Sequence, residues 1–353
     1  MKIAIIRHSI RNRGGDRLIL DHCAHLIGNG HEVVYWTNDV DTHFRIDPRI
    51  QIKRIPYPKV HGTIRFVSTT TFDADIVLVD LAVMSIFASI LNARKVVYLA
   101  QDDDRTYYPS MILRFLMRVV YWVALSVLRV PTIAVSDFLK EKLDRLSRGR
   151  VTSVPNGLDH RIFYHDKNSP YAVEKKALMT IVLYARRDFR KGLDIGIKAV
   201  EELARLRGVN DWELWTIGDD AVGINVDRLN IKRWGLLKAD DLRGVLSVAD
   251  IYLSPSRHEG FGLMPLEAMA CGNVMVTTTA FSLVEDGLNG LVRPVDDWQG
   301  LAVAMDRVMN DKDLFRKLQS NGYSLAGKFR LEKSCEAFEG ALRSIVSSGS
   351  RDK

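Results

Sequence analysis

Cysteine is scarce in this chain. Cys23, Cys271 and Cys335 are the three in 353 residues, an odd number with no pair at zinc-ligand spacing, so neither a disulfide framework nor a structural zinc site is expected. A reducing cytoplasm suits such a sequence. Long apolar runs are missing too: no stretch of 18 or more residues is apolar and free of charge, which argues against a membrane span. The opening MKIAII runs straight into the charged RHSIRNRGGDR, an apolar stretch too short for a secretory signal. Low-complexity tracts and short-period repeats are also lacking. What is present is a globular composition, 47% hydrophobic and 26% charged, which excludes the disordered and fibrous classes. The length favours two domains, each able to bury a core without staples.

The net charge of +7 is uneven. Residues 1–160 hold 22 basic and 16 acidic residues, and the remainder 28 and 27. An anionic partner should therefore meet the first half. That surplus is the whole case for a non-catalytic polyanion-binding module. No interleaving of aromatic and basic residues accompanies it, so no nucleic-acid partner is expected.

Short β-rich runs alternate with helical patterns along both halves. Strands are expected at 2–6, 32–36, 75–79, 95–99 and 132–135, with helices near 15–29, 81–92, 110–129 and 137–147. The rhythm resumes with strands at 179–184, 213–217, 251–253 and 274–277 and helices at 191–207, 239–248 and 264–271. Helix dominates after 297, and the tail SSGSRDK should fray. This is an α/β pattern of two doubly wound, Rossmann-like domains with parallel sheets, facing across a cleft where ligands bind outside the strand ends. The turn-rich stretch 154–176 reads as the linker, giving domains at 1–160 and 177–330 with 161–176 between them.

The segment SPSRHEGFGLMPLEAMACG (254–272) places Glu259 and Glu267 eight residues apart around a glycine-rich turn and a helix start. Gly260 and Gly262 let the backbone approach a ligand, and the N–H groups and dipole of the following helix suit a phosphate. Carboxylates at these positions can accept sugar or ribose hydroxyls. The alternative is a loop with a capping glutamate and a solvent-facing one. In YARRDFRKG, Arg186 and Lys191 follow a strand and precede a helix, so both can reach a diphosphate. A solvated basic turn is the other reading, and suits Arg187 and Arg190. Asp102-Asp103-Asp104 invites a metal, a sugar or acceptor contact, or merely an exposed acidic loop. His258 adjoins Glu259 and can line the same site, whereas His8, His22, His25 and His31 read as surface or packing residues. In PSMILRFLMRVVYWVALSVLRV (109–130), Arg114, Arg118 and Arg129 fall in one stripe at 100° per residue. That stripe is either a surface for an anionic membrane or the solvent face of a buried domain helix.

Taken in order, these blocks resemble the retaining glycosyltransferases of family 4 (group 1). The resemblance runs through Gly14-Gly15, VSDFLKEKL from Val135, VPNGLD at 154–159, Arg186 with Lys191-Gly192, and ADIYLSPSRHEGFGLMPLEAMACG from Ala249. It implies the GT-B fold, with a C-terminal helix at about 331–347 returning to the N-terminal domain. It also implies transfer of a hexosyl residue from a nucleotide-diphosphate sugar to a hydroxyl of a glycan or lipid-linked acceptor, in cell-surface polysaccharide or glycoconjugate synthesis. Arg186 and Lys191 would take the diphosphate and Glu267 the ribose. Glu259, with the backbone of Gly260, Phe261, Gly262 and Leu263, would take the sugar. Gly14 and Gly15 would approach the donor, the loop at Arg233-Trp234 its base, and Gln101, Asp102 and Asp103 the acceptor. No metal or other cofactor is expected, since cations and amide dipoles can stabilise the leaving diphosphate. A cytoplasmic enzyme is expected, peripheral on the inner face of the membrane if the arginine stripe is a membrane surface. Two departures stand out. Gln101-Asp102 occupies the place where many members carry a histidine. The glycine pair and glutamate after the VTT strand are missing from a shortened segment whose nearest candidate is Glu285. An epimerase or a phosphorylase on the same fold is the runner-up.

Overall fold

The computed structural model describes residues 1–42, 44–108, 110–218 and 224–351. The chain divides into two compact units, Met1–Gly157 with Leu331 onward, and Leu158–Arg330. Each is built on a parallel sheet. In the first unit seven strands lie in the order Gln51–Arg54, Glu32–Thr37, Lys2–Ile6, Ile76–Val79, Val96–Ala100, Thr132–Ala134 and Val151–Ser153. In the second, six lie in the order Ile231–Arg233, Trp212–Ile217, Met179–Tyr184, Ile251–Ser254, Val274–Thr278 and Leu291–Arg293. The central strands IVLV, VVYLA and IYLS are buried throughout, because helices cover both faces of a parallel sheet and no alternation is needed. A two-stranded ribbon, Ser9–Arg11 with Asp39–Asp41, is a further element of the first unit.

Local chemistry sets the helix ends. Ser136 caps Asp137–Ser147 by accepting from the Leu139 N–H at 3.1 Å, and Asp297 and Asp311 do the same for Trp298–Asn310 and Lys312–Ala326. The C-terminal helix Leu331–Arg351 groups with the first unit. Its Phe338 stacks on His22 at 4.3 Å, and its Glu339 meets His31 and His25 ring nitrogens at 3.0 and 3.1 Å. The tail expected to fray continues this helix as far as Arg351, and Asp352 and Lys353 lie outside the described residues.

Two expectations are corrected. Residues 161–176 are not a free linker but part of the second unit. Phe163 is fully buried, Ser169 donates to the Gly244 carbonyl at 2.7 Å, Tyr171 donates to Asp241 at 2.7 Å, and Lys175 pairs with Asp250 at 2.6 Å. The 110–129 helix widens in its last turn. A regular helix spans Met111–Trp122, then Leu128 N–H bonds back five residues to Val123 and Arg129 turns left-handed at φ 54°. That wider turn takes Arg129 off the stripe predicted at 100° per residue. Pro109 lies outside the described residues.

Candidate active site

In the second sheet, strands Met179–Tyr184 and Ile251–Ser254 are parallel neighbours. The loops that follow them therefore leave the sheet side by side at its carboxyl edge. After the first strand a short turn, Phe189–Lys191, leads through Gly192 into helix Leu193–Arg207. Gly192 has φ +62°, and a Cβ there would stand 2.0 Å from the Pro255 carbonyl oxygen. Only glycine allows the two loops to touch backbone to backbone. After the second strand, Gly262, left-handed at φ +84°, opens helix Leu263–Ala270 and leaves room for the Phe281 ring.

Contact between the loops joins two of the expected residues. Lys191 Nζ donates to both carboxylate oxygens of Glu259, at 2.8 and 2.9 Å, and Ser256 Oγ donates to one of them at 2.8 Å. The Glu259 side chain is 7% exposed and that of Lys191 27%. Both face a hollow lined by Tyr184, Tyr252, Ser256, Gly262, Leu263 and Met264, among others. Burial holds the Tyr252 phenol well above its usual pKa, and the charges of Glu259 and Glu267 push the same way. Both glutamates thus bear on one phenol, although Glu267 itself sits buried in the helix.

Around this pair the other expected residues are distributed unevenly. Arg186 is half-buried beside the same turn. Burial there opposes ionisation of Asp188, yet the Arg190 guanidinium and backbone N–H, with a smaller pull from Arg186, hold its carboxyl down to about 2. His258 is half-buried, with its backbone N–H directed at the Arg190 carbonyl at 3.3 Å. Gly260 and Phe261 are buried, the latter packed on Phe329 at 5.5 Å. Arg233 is exposed and reaches the Ile224 carbonyl. Trp234 packs edge-on to Trp215 and Tyr171 at 5.3 and 5.2 Å, and its backbone N–H is spent on the Thr216 carbonyl.

In the first unit the structure brings Gly15 and Gln101 together. Gln101 Nε2 donates to the Gly15 carbonyl at 3.3 Å, and Arg7 Nη1 donates to it at the same distance. Arg7 is buried between Asp16 and Asp80, 2.9 Å from each. The three consecutive aspartates diverge. Asp102 accepts from the Asp103 N–H at 2.8 Å, and Asp103 takes a bidentate grip from Arg105 at 2.7 and 2.8 Å. Burial raises the Asp104 carboxyl against Tyr121. Among the described residues no three His, Cys, Asp or Glu side chains converge as metal ligands would.

Residues 179–311 match the family model described as glycosyl transferases group 1. That segment belongs to glycosyl transferases group 1. The group 1 segment holds Arg186, Lys191, Arg233, Trp234 and residues 258–267, while Gly14, Gly15 and Gln101–Asp103 lie outside it. Among curated relatives, an uncharacterised glycosyltransferase of Methanocaldococcus jannaschii is 26% identical over 57% of this chain and 56% of its own. The lipopolysaccharide core biosynthesis glycosyltransferase LpsE of Rhizobium meliloti is 32% identical over 42% and 45%. The chain spans about half the length of these curated relatives. Among solved structures, sucrose-phosphate synthase of Thermosynechococcus elongatus superposes with a TM-score of 0.83 at 19% identity, covering 99% of this chain and 100% of that one. WaaG, a glycosyltransferase involved in lipopolysaccharide biosynthesis, gives 0.76 at 18%, over 96% and 98%. The fold is GT-B.

Sequence reasoning missed three residues that shape these sites. Ser256 and Arg257 sat unremarked inside the glutamate motif, and Arg7 carried no signal beyond an arginine at a strand end.

Proposed function

We propose that this chain is a retaining, metal-independent glycosyltransferase. It would move a hexosyl residue from a nucleotide-diphosphate sugar to a hydroxyl of a glycan or lipid-linked acceptor in cell-surface polysaccharide synthesis. The observation that carries this reading is the Lys191–Glu259 pair, set in a hollow beside the N-terminus of helix Leu263–Ala270. An ammonium has three donors. Two go to Glu259, and the third is available to an arriving phosphate without breaking the pair. Arg186 and the helix N–H groups complete the grip on the diphosphate. Glu259 and the backbone of 260–263 hold the transferred sugar, Glu267 serves the ribose, and the loop at 233–235 lies at the base. As the glycosidic bond lengthens, negative charge grows on the leaving diphosphate, where Lys191, Arg186 and the helix dipole stabilise it. The departing phosphate takes the acceptor's proton on the same face, so configuration is kept. Within the first unit, Gly14, Gly15 and Gln101 are the residues proposed for substrate contacts. A solved neighbour, HepE of Anabaena, has been crystallised with UDP-glucose, which supports a nucleotide-sugar donor here.

Product analysis with a labelled donor and an acceptor alcohol tests the reading. Label should appear in a glycoside of retained configuration. Label that stays in an epimerised nucleotide sugar, or passes to phosphate, would replace transfer with epimerisation or phosphorolysis.

The proposal extends to location. No helix among the described residues is long and apolar enough to cross a membrane. Helix Met111–Trp122, however, exposes Met111, Ile112, Phe115, Leu116, Val119 and Trp122 along one face, with Arg114 and Arg118 exposed at its rim. Apolar side chains flanked by arginines fit an anionic bilayer surface, which supports a peripheral location on the inner face of the membrane. Vesicles containing anionic lipid should bind the chain. Arg114→Glu with Arg118→Glu should weaken that binding about 30-fold or more, and unchanged binding would retire the membrane surface.

A further inference from the structure

Lys191 and Glu259 come from different loops, and something must hold those loops in register. Arg257 reaches the turn before Gly192, the helix after it and the loop at Asp296. Its Nη1 donates to the Phe189 carbonyl at 3.0 Å and to Asp194 at 2.8 Å, and its Nη2 donates to Asp194 at 2.7 Å. Its Nε donates to Asp296 at 2.6 Å. The guanidinium also lies over the Phe189 ring at 4.2 Å. The backbone repeats the connection, with the N–H groups of Arg257 and His258 both directed at the Arg190 carbonyl, at 2.7 and 3.3 Å.

Four features single out this residue. Arg257 is two residues from Glu259, and its contacts at Phe189 and Asp194 bracket Lys191, so it spans the pair without lining the hollow. Its side chain is 9% exposed, whereas those of Asp194 and Asp296 are 58% and 56% exposed; the arginine is the inner member of the network. Asp296 holds a left-handed φ of 68°, a conformation that persists where the surroundings over-determine it. The grip uses a planar fork and a stacking face together, which a lysine cannot reproduce.

We propose that Arg257 is a positioning residue: it fixes the turn bearing Lys191 against the loop bearing Glu259, so that the cation for the diphosphate and the carboxylate for the sugar keep one separation. What the pair acts on rests on the donor reading above, but the fixing of the two loops does not. A displacement of about 1 Å in such a constellation can cost about 10²-fold in rate, so the loss should fall on kcat more than on KM.

The test uses the full chain as Arg257→Lys, the milder variant, and Arg257→Met, with Asp194→Asn/Asp296→Asn as a variant that removes the partners and keeps the arginine. Hydrogen exchange without any ligand should quicken about tenfold or more in residues 186–192 and 255–262 together, while strand Met179–Tyr184 stays protected. With a turned-over nucleotide sugar, Arg257→Lys should lower kcat about 10- to 100-fold and change the donor KM by less than about threefold. Unaltered exchange, loosening of 255–262 alone, or a raised KM with kcat intact would overturn the proposal. If the unmodified protein turns over no nucleotide sugar, the donor reading fails, and the exchange comparison still decides the role of Arg257.

Discussion

The glycine turns of the two units look alike in sequence and are anchored differently. In the second unit, Gly192 meets the Pro255 carbonyl backbone to backbone, and Arg257 ties the same two loops together. In the first, Gly15 meets the far end of a side chain: a Cβ there would stand 2.2 Å from Gln101 Oε1. Beneath it lies Arg7 with two carboxylates, a buried charge cluster that costs several kcal/mol to desolvate unless fully paired. Main-chain contact admits one geometry, whereas a glutamine can swing. On the proposed reading this division has a use. A diphosphate is the same in every nucleotide sugar and rewards the fixed cradle of the second unit.

The comparison breaks most visibly at the two glycines. Gly192→Ala adds a left-handed penalty to a backbone overlap and should destabilise by roughly 2–4 kcal/mol, lowering Tm by about 6–12 °C. Equal melting temperatures for Gly192→Ala and Gly15→Ala would erase the distinction.

Acid sharpens it next. Burial pushes the His22 imidazole down to about 3, so the unfolded chain binds this proton first. Stability of the first unit should decline as pH falls from about 6.5 towards 3, by up to about 1.4 kcal/mol per pH unit. Hydrogen bonds from His31 and Asn29, with Arg343, hold Glu339 down to about 2, and its contribution is lost as pH falls from about 4.5 through that value. Circular dichroism titrations should show His22→Leu flattening the upper part of this loss and Glu339→Gln the lower part. Loss unchanged in both variants would place the acid-sensitive contacts elsewhere.

The smallest expected effect is that of Gly15→Ala, within about 1 kcal/mol, because Gln101 gives way. A large loss of stability there would show that Gln101 is locked after all.

How much of this was legible in the sequence depends on distance along the chain. Central strands announced themselves as continuous apolar runs. Edge strands such as QIKR at 51–54 and IKR at 231–233 carry too few apolar residues to show a period. Helix Lys59–Thr69 was hidden by β-branched residues and by Gly62, which the Tyr57 carbonyl requires. Lys191 and Glu259 could be picked out because glycines and charges mark their loops, but nothing local pairs them across 68 positions. Arg257 was invisible for the same reason: its partners lie 63 and 39 residues away. Arg129 was misplaced because one wide helical turn cannot be read from a regular period.

The central claim is that cations and amide dipoles of the second unit grip a nucleoside diphosphate without a divalent ion. Calorimetric titration of UDP, GDP and ADP into the full chain, with EDTA present, tests it directly. One of the three should bind, and Lys191→Ala and Arg186→Ala should each weaken it by about tenfold or more. Binding that needs a divalent ion, that ignores both substitutions, or that is absent for all three nucleotides would contradict the account.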